Sequence, residues 1–174
     1  SMPKNHRNYQ KTRHIALSGL LFALAMALSF IEGTLTIPGL LPGMKLGLAN
    51  IVTVFALYQL GAGAALAILL TRCLLGGLFA GNLSAMLFSV LGGLTAMLVM
   101  IFLRRLPKLS VYGVSIGGAA AHNIGQMAAA VITLGSTMVL GYLPFLLAVS
   151  LFTGALTGFI TALLLRATRH IRFH

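Results

Sequence analysis

The stretch IEGTLTIPGLLPGMKLGLANIV, residues 31–52, separates the first two apolar runs of the chain. It holds two prolines, four glycines, a lysine (Lys45) and Glu32, the only acidic residue in the sequence. Because proline and glycine interrupt helices, this stretch predicts a loop between two helices. A loop that carries both signs of charge in an otherwise apolar chain suggests a functional role.

The composition is typical of a membrane protein. Of the 174 residues, 59% are hydrophobic and 7% are charged, and the mean hydropathy is +1.01. This leaves too little polar surface to cover a soluble globule. Since one span takes about 20 residues, the chain has room for about six spans in a single domain, residues 1–174.

The apolar runs predict the fold class, an all-α integral membrane bundle of six transmembrane helices. Glycine, proline or basic residues separate one run from the next. The predicted spans are about 14–31, 45–60, 63–80, 83–103, 111–134 and 143–167.

The basic residues predict the orientation of this bundle. The net charge is +11, and ten of the twelve basic residues lie at alternate ends of the predicted spans. These ten are Lys4, Arg7, Lys11, Arg13, Arg104, Arg105, Lys108, Arg166, Arg169 and Arg172. An excess of Lys and Arg marks cytoplasmic loops, so both termini are expected in the cytoplasm and loop 32–44 outside. The charge is therefore explained by topology, and we expect no nucleic-acid partner.

Two cations depart from this pattern. Lys45 stands at the outer start of the second span, where the predicted helix N-terminus adds positive potential, and Arg72 lies in the middle of the third span. A charge in mid-membrane costs roughly 2.5 kcal/mol or more on insertion scales. Glu32 can neutralise only one of the two cations, so the other is left for backbone carbonyls, water or an anionic ligand. Both a structural and an anion-binding Arg72 remain open.

Five polar residues complete the candidate ligand site. Polar side chains deep in a span usually face the bundle interior, where they either line a cavity or bond other helices. From sequence alone, both roles are possible. The five residues are Asn50, Asn82, His122, Asn123 and Gln126.

The scarcity of acids excludes several functions. A chain with one Glu and no Asp cannot hold paired catalytic carboxylates, an aspartate-bound Mg²⁺ or a carboxylate proton relay. Cys73 is the only cysteine, and no Walker loop occurs. We therefore expect neither an enzyme nor a self-powered pump, with no cofactor and no metal.

The first predicted helix carries Gly19, Ala23 and Ala27 at a spacing of four residues, on one face. Small residues in such a row allow another helix to approach closely in lipid. The pattern alone fits a contact inside the bundle as well as a contact with another subunit.

The strings IPGLLPGMKLGLANIVTVFAL, TRCLLGGLFAG and AHNIGQ together resemble the bacterial Gx transporter family, often labelled heptaprenyl diphosphate synthase component I. The resemblance covers essentially the whole chain. That family is similar to the S-components of energy-coupling factor (ECF) transporters, which implies six helices and a first helix that docks on a transmembrane coupling subunit. Gly19, Ala23 and Ala27 match the docking face, with glycine in place of the first alanine. Prenyl diphosphate synthases carry Asp-rich Mg²⁺ motifs, so this chain is not expected to be their catalytic subunit.

The resemblance also suggests a role for the opening stretch. An S-component must close over its ligand from outside, and a loop with hinges and restraints suits such a gate. A fixed re-entrant cap is the alternative. The predicted gating residues are Glu32, Pro38, Gly39, Pro42 and Gly43.

The leading hypothesis is a substrate-binding subunit in the bacterial cytoplasmic membrane. It would take up a small, anionic vitamin or metabolic precursor, and an ECF coupling subunit with two ATPases would supply the energy. One alternative is a membrane partner of a quinone, prenyl-lipid or flavin-linked redox system. Another is an autonomous channel, which the sequence supports less because it shows no repeated half.

Overall fold

The computed structural model describes residues 4–35, 38 and 45–171. Within these residues the regular structure is helical. The elements are α1 (Lys4–Thr34), α2 (Asn50–Gln59), α3 (Ala62–Ala80), α4 (Leu83–Arg104), α5 (Val111–Leu134) and α6 (Leu143–Ala167), with a short 3-10 helix at Thr137–Tyr142.

Four segments are long and apolar enough to cross a membrane. They are Arg7–Thr34, Ala62–Ala80, Leu83–Arg104 and Thr137–Ala167. Helix α5 has 24 residues but is less apolar, because it carries a set of buried polar side chains. Helix α2 is apolar and has 10 residues. The prediction of a helical, multi-pass membrane protein is confirmed, while the count of six spans remains a prediction.

The second helix differs from its predicted bounds. We expected helix from residue 45, but α2 begins at Asn50 and residues 45–47 are non-helical. Gly47 has a φ of +92°, which breaks the helix before Asn50. The structure also starts α1 at Lys4, ten residues before the apolar run, because the polar segment continues the same helix.

The ends of the longer helices follow local sequence signals. Gly81 and Gly135 adopt left-handed conformations after α3 and α5. Asn82 and Ser110 accept backbone amides at the starts of α4 and α5.

Helix α5 packs most extensively, against α4 and α6. A Cβ atom at Gly125 would collide with the Leu91 carbonyl of α4, and one at Gly154 of α6 would collide with the Ile116 backbone. Because helices in lipid associate through close packing, these glycines set the distances between α4, α5 and α6. The polar residues of α5 are thereby held inside the bundle.

Helix α2 is held at its C-terminal end by α4. The Arg104 guanidinium donates to the Leu57 carbonyl and lies 5.2 Å from the centre of the Tyr58 ring. A cation that bonds the last carbonyls of a helix also complements the helix dipole. This contact anchors the C-terminal end of α2.

Candidate functional site

The last turns of α1 bring a hydroxyl and a carboxylate into the bundle. Ser29 and Glu32 are three residues apart and are 7% and 4% exposed, whereas Phe30 and Ile31 point outward. Side chains three apart lie on the same helix face. Ser29 and Glu32 therefore face the segment that precedes α2.

The Glu32 carboxylate holds the backbone of that segment. Its two oxygens accept the amides of Gly47 and Leu48, the latter at 3.1 Å. These amides precede the first turn of α2, where an anion is favoured by the helix dipole. The sequence predicted positive potential in this region, and in the structure the chain's own carboxylate binds its amides.

Two cations meet at the Ser29 hydroxyl. Lys45 Nζ and Arg72 Nη1 each lie 3.3 Å from Ser29 Oγ. The two nitrogens are therefore less than about 7 Å apart, since both bond to the same oxygen. Like charges at such a distance repel each other strongly when they are shielded from water.

The surroundings of Lys45 and Arg72 leave both cations poorly compensated. Lys45 and Arg72 repel each other, and Glu32, the only acidic residue of the sequence, can balance only one of the two charges. Arg72 is 5% exposed, and its Nε atom has no hydrogen-bond partner. Each Glu32 oxygen accepts a backbone amide, and the acceptor that Lys45 Nζ and Arg72 Nη1 share is the neutral Ser29 hydroxyl.

Gln126 of α5 fixes Lys45 from the opposite side. Its side-chain oxygen accepts the Lys45 amide at 2.8 Å, and its side-chain nitrogen donates to the Lys45 carbonyl at 3.0 Å. Such a two-bond contact holds the backbone of Lys45 in one orientation. Gln126 belongs to the cluster, where it bonds the protein backbone in this conformation.

His122 lies beside Gln126 with both ring nitrogens unpartnered. It is 5% exposed, and the carbonyls of Gly92 and Lys45 face the ring without reaching hydrogen-bond geometry. A Cβ atom at Gly92 would lie 2.9 Å from the ring, so only glycine leaves it this room. Buried polar atoms without partners are uncommon in native proteins, and a ligand or water is a frequent explanation.

Asn50, the first residue of α2, lies next to the cluster. Its side-chain nitrogen would be 2.8 Å from a Cβ atom at Gly47, and His122 borders the same space. Beyond Asn50, a cavity about large enough for one water molecule extends between α2, α5 and α6, where Ser115 and Thr157 line it. Asn50 therefore lies between the cationic cluster and a polar cavity.

The structure gives two predicted site residues other contacts. Asn82 is exposed and accepts the Ala85 amide at 3.0 Å, so its position after α3 makes it a helix cap. It is ten residues from Arg72, which corresponds to about 15 Å along α3. Asn123 donates to the Leu146 carbonyl at 2.8 Å and therefore joins α5 to α6. Asn123 also accepts from Gln126 Nε2 at 3.3 Å, so it is connected to the cluster. The ligand role stays a prediction for Asn82, for Asn123 and for the residues of the cluster.

The predicted gating residues are described in part. Glu32 belongs to α1, so the predicted loop begins three residues later than expected. Pro38 is exposed in a turn. Gly39, Pro42 and Gly43 lie outside the described residues.

Ser29 is the member of the cluster that sequence analysis missed. A single serine near the end of an apolar helix carries little signal by itself. Its position one turn before the only carboxylate of the chain could have indicated that it shares a buried face with Glu32.

The small-residue face of α1 is exposed. Gly19, Ala23 and Ala27 are all accessible, and a Cβ atom at Gly19 would meet nothing within 4 Å. In the apolar part of α1 only 11% of the residues are buried. Among the described residues, this face therefore does not form a contact inside the bundle, which was one of the two interpretations of the sequence pattern.

The model of one protein family, described as heptaprenyl diphosphate synthase component I, matches residues 21–164. The chain belongs to this family. The match includes Ala23, Ala27 and every residue of the cationic cluster, from Ser29 to Gln126. Searches of curated proteins and of solved structures gave no match.

The heptaprenyl diphosphate synthase component I family is named as one part of a synthase. This member has no Asp, so it lacks the aspartates that hold Mg²⁺ in Asp-rich synthase motifs. The described cluster contains one carboxylate, which bonds backbone amides. The arrangement is suited to binding an anion, with two cations and unpartnered polar atoms at one buried place.

Proposed function

We propose that this member of the heptaprenyl diphosphate synthase component I family is a substrate-binding membrane subunit. It binds a small anionic vitamin or metabolic precursor for uptake, and a separate ECF module with two ATPases supplies the energy. The chain crosses the bacterial cytoplasmic membrane six times, with both termini in the cytoplasm.

One observation carries the proposal. Three buried polar atoms, Arg72 Nε and both His122 ring nitrogens, lack partners at the place where Lys45 and Arg72 share one hydroxyl. An anion such as a carboxylate or phosphate compensates two cations and accepts from the unused Arg72 donor. His122 is able to donate with one nitrogen and accept with the other, so it forms hydrogen bonds with a neutral polar group of the ligand.

The gate of this site is the segment between α1 and α2. It is bounded by Glu32 at the end of α1 and by Lys45 and Gly47 before α2. Glu32 and Gln126 hold the second boundary through backbone contacts. Breaking these few hydrogen bonds frees residues 45–48 to move, which is what a gate over an external ligand requires.

The exposed face of α1 serves as the docking surface for the ECF coupling subunit. Its occupant is a small-residue transmembrane helix, since Gly19, Ala23 and Ala27 permit close approach of a second helix backbone. The face lies on a peripheral helix, where a second subunit reaches it without displacing any described helix.

The binding site is tested by substitution of Arg72. The full chain is purified in lipid nanodiscs, retained small molecules are identified by native mass spectrometry, and their affinity is measured for wild type, Arg72→Lys and Arg72→Gln. Loss of a charge-assisted contact costs about 1.5 to 3 kcal/mol, or roughly ten- to a hundredfold in affinity. Lysine keeps the charge but not the planar set of donors, so Arg72→Lys should also weaken binding.

Arg105→Gln is the matched control, because Arg105 is exposed at the end of α4 and distant in sequence from the cluster. It should bind as tightly as wild type. Unchanged affinity in both folded Arg72 variants would show that Arg72 is structural and would remove the main support for an anionic ligand.

The family name supports a second candidate, a membrane partner of a prenyl-lipid enzyme or a linked redox system. Affinity capture of the tagged chain from native membranes separates the two. Recovery of two ATPases and a coupling subunit supports the uptake function, whereas stoichiometric recovery of a prenyltransferase or an oxidoreductase supports the second candidate.

A further inference from the structure

The cluster contains more positive than negative groups, and its one carboxylate is already engaged. Glu32 is buried, and its two oxygens receive the Gly47 and Leu48 amides. It is the only acidic residue in the sequence, so no other side chain is able to supply a negative charge. Lys45 and Arg72 then share the neutral Ser29 hydroxyl.

This arrangement favours an anionic group of a ligand and disfavours an ammonium group. An anionic group enters a region with two positive side chains and one negative one, and its charge balances the excess. An ammonium group on the same ligand would add a third cation, for which the described cluster offers no free carboxylate. A buried cation without a partner is strongly unfavourable.

The remaining polar groups near the cluster are neutral hydrogen-bonding groups. His122 has two unpartnered nitrogens, Asn50 lies beside it, and the small cavity beyond Asn50 is bordered by Ser115 and Thr157. Ser115 is 2% exposed and its hydroxyl has no partner. These groups suit hydroxyl, carbonyl or amide groups of a ligand.

We infer that the site selects anions that carry no ammonium group, and that Glu32 sets this preference because its carboxylate is committed to the Gly47 and Leu48 amides. The inference rests on the proposed function and narrows its ligand class. Zwitterions such as amino acids and cationic ligands are excluded, while a carboxylate or phosphate ester with a neutral, hydrogen-bonding body is accepted.

The test uses pairs of probes that differ in one ammonium group. Butyrate is paired with β-alanine, and propyl phosphate is paired with phosphoethanolamine. Each probe is titrated at constant ionic strength against the full chain in lipid nanodiscs, and the rise in the thermal unfolding midpoint gives its affinity. We expect the member without ammonium to bind on the order of tenfold or more tightly in each pair.

Glu32→Gln tests whether the Glu32 carboxylate is unavailable to an ammonium group of a ligand. Because this variant removes the negative charge near the bound anion, affinity for butyrate and propyl phosphate should be equal to or higher than in wild type. The inference is overturned if β-alanine or phosphoethanolamine binds wild type as tightly as its partner, and equally if Glu32→Gln selectively loses binding of the zwitterion. The wild-type comparison decides the question even if the variant does not fold.

Arg72→Gln separates this inference from the proposed function. If it weakens all bound probes while wild type fails to discriminate within pairs, the anion site stands and the inference fails. If it leaves butyrate and propyl phosphate unaffected, or if none of the four probes stabilises wild type, both fail.

Discussion

Replacing Gly47 by alanine perturbs the cluster at its backbone, and the chain supplies a matched control. Gly47 and Gly61 have nearly the same φ, +92° and +96°, in a region that favours glycine. A Cβ atom at Gly47 would lie 2.8 Å from the Asn50 side-chain nitrogen, whereas one at Gly61 would meet nothing within 4 Å. Gly61→Ala therefore measures the backbone cost alone, and Gly47→Ala adds a steric conflict beside Glu32 and His122.

The expected losses follow from these two terms. An L-residue held at such a positive φ costs about 1–3 kcal/mol. Overpacking a buried position adds about 1–3 kcal/mol. We expect Gly61→Ala to lower the free energy of unfolding by about 1–3 kcal/mol and Gly47→Ala by about 2–6 kcal/mol.

Thermal unfolding of the purified variants in identical nanodiscs measures the difference. For a chain of this size, 1 kcal/mol corresponds to about 2–4 °C in the unfolding midpoint. Binding of propyl phosphate should fall in Gly47→Ala and stay at the wild-type level in Gly61→Ala. Equal destabilisation of the two variants, or a larger effect at Gly61, would refute the reasoning that Gly47 is sterically confined by the site.

Three further predictions concern docking, topology and the gate. Ala23→Leu should leave folding and ligand affinity close to wild type but abolish energised uptake by the reconstituted ECF module, because the exposed leucine would push the two subunits apart. A variant that does not fold would contradict a docking role for this face. Single cysteines at Ser110 and Leu35, in a Cys73→Ala background, should react with an impermeant reagent from opposite sides of the membrane, and labelling of both from one side would disprove the six-span topology. Gln126→Leu removes two hydrogen bonds to the backbone of Lys45, so it should destabilise the protein by about 1–3 kcal/mol and increase proteolysis just before α2. Unchanged proteolysis would show that other contacts hold this backbone.

The class of protein could be predicted from the sequence because it depends on sums over the chain. Mean hydropathy, the lengths of the apolar runs and the scarcity of acids do not depend on which helix lies beside which. They predict a helical membrane protein, which the structure and the family match support. The sequence also indicated that Glu32, Lys45 and Arg72 are exceptional, because isolated charges in apolar surroundings need partners.

The partners themselves depended on tertiary structure, since each contact joins residues far apart in the chain. Asn123 and Gln126 lie three residues apart on α5, yet one bonds α6 and the other the backbone of Lys45. The helical spacing places them near each other but does not say which neighbour each one meets. Likewise, the packing of α1 against α2 and α3 determines that the Glu32 oxygens accept two backbone amides, and that Lys45 and Arg72 both bond to Ser29. Composition determines that buried charges must be compensated, whereas the three-dimensional arrangement of the helices decides which groups compensate them and which donors remain free for a ligand.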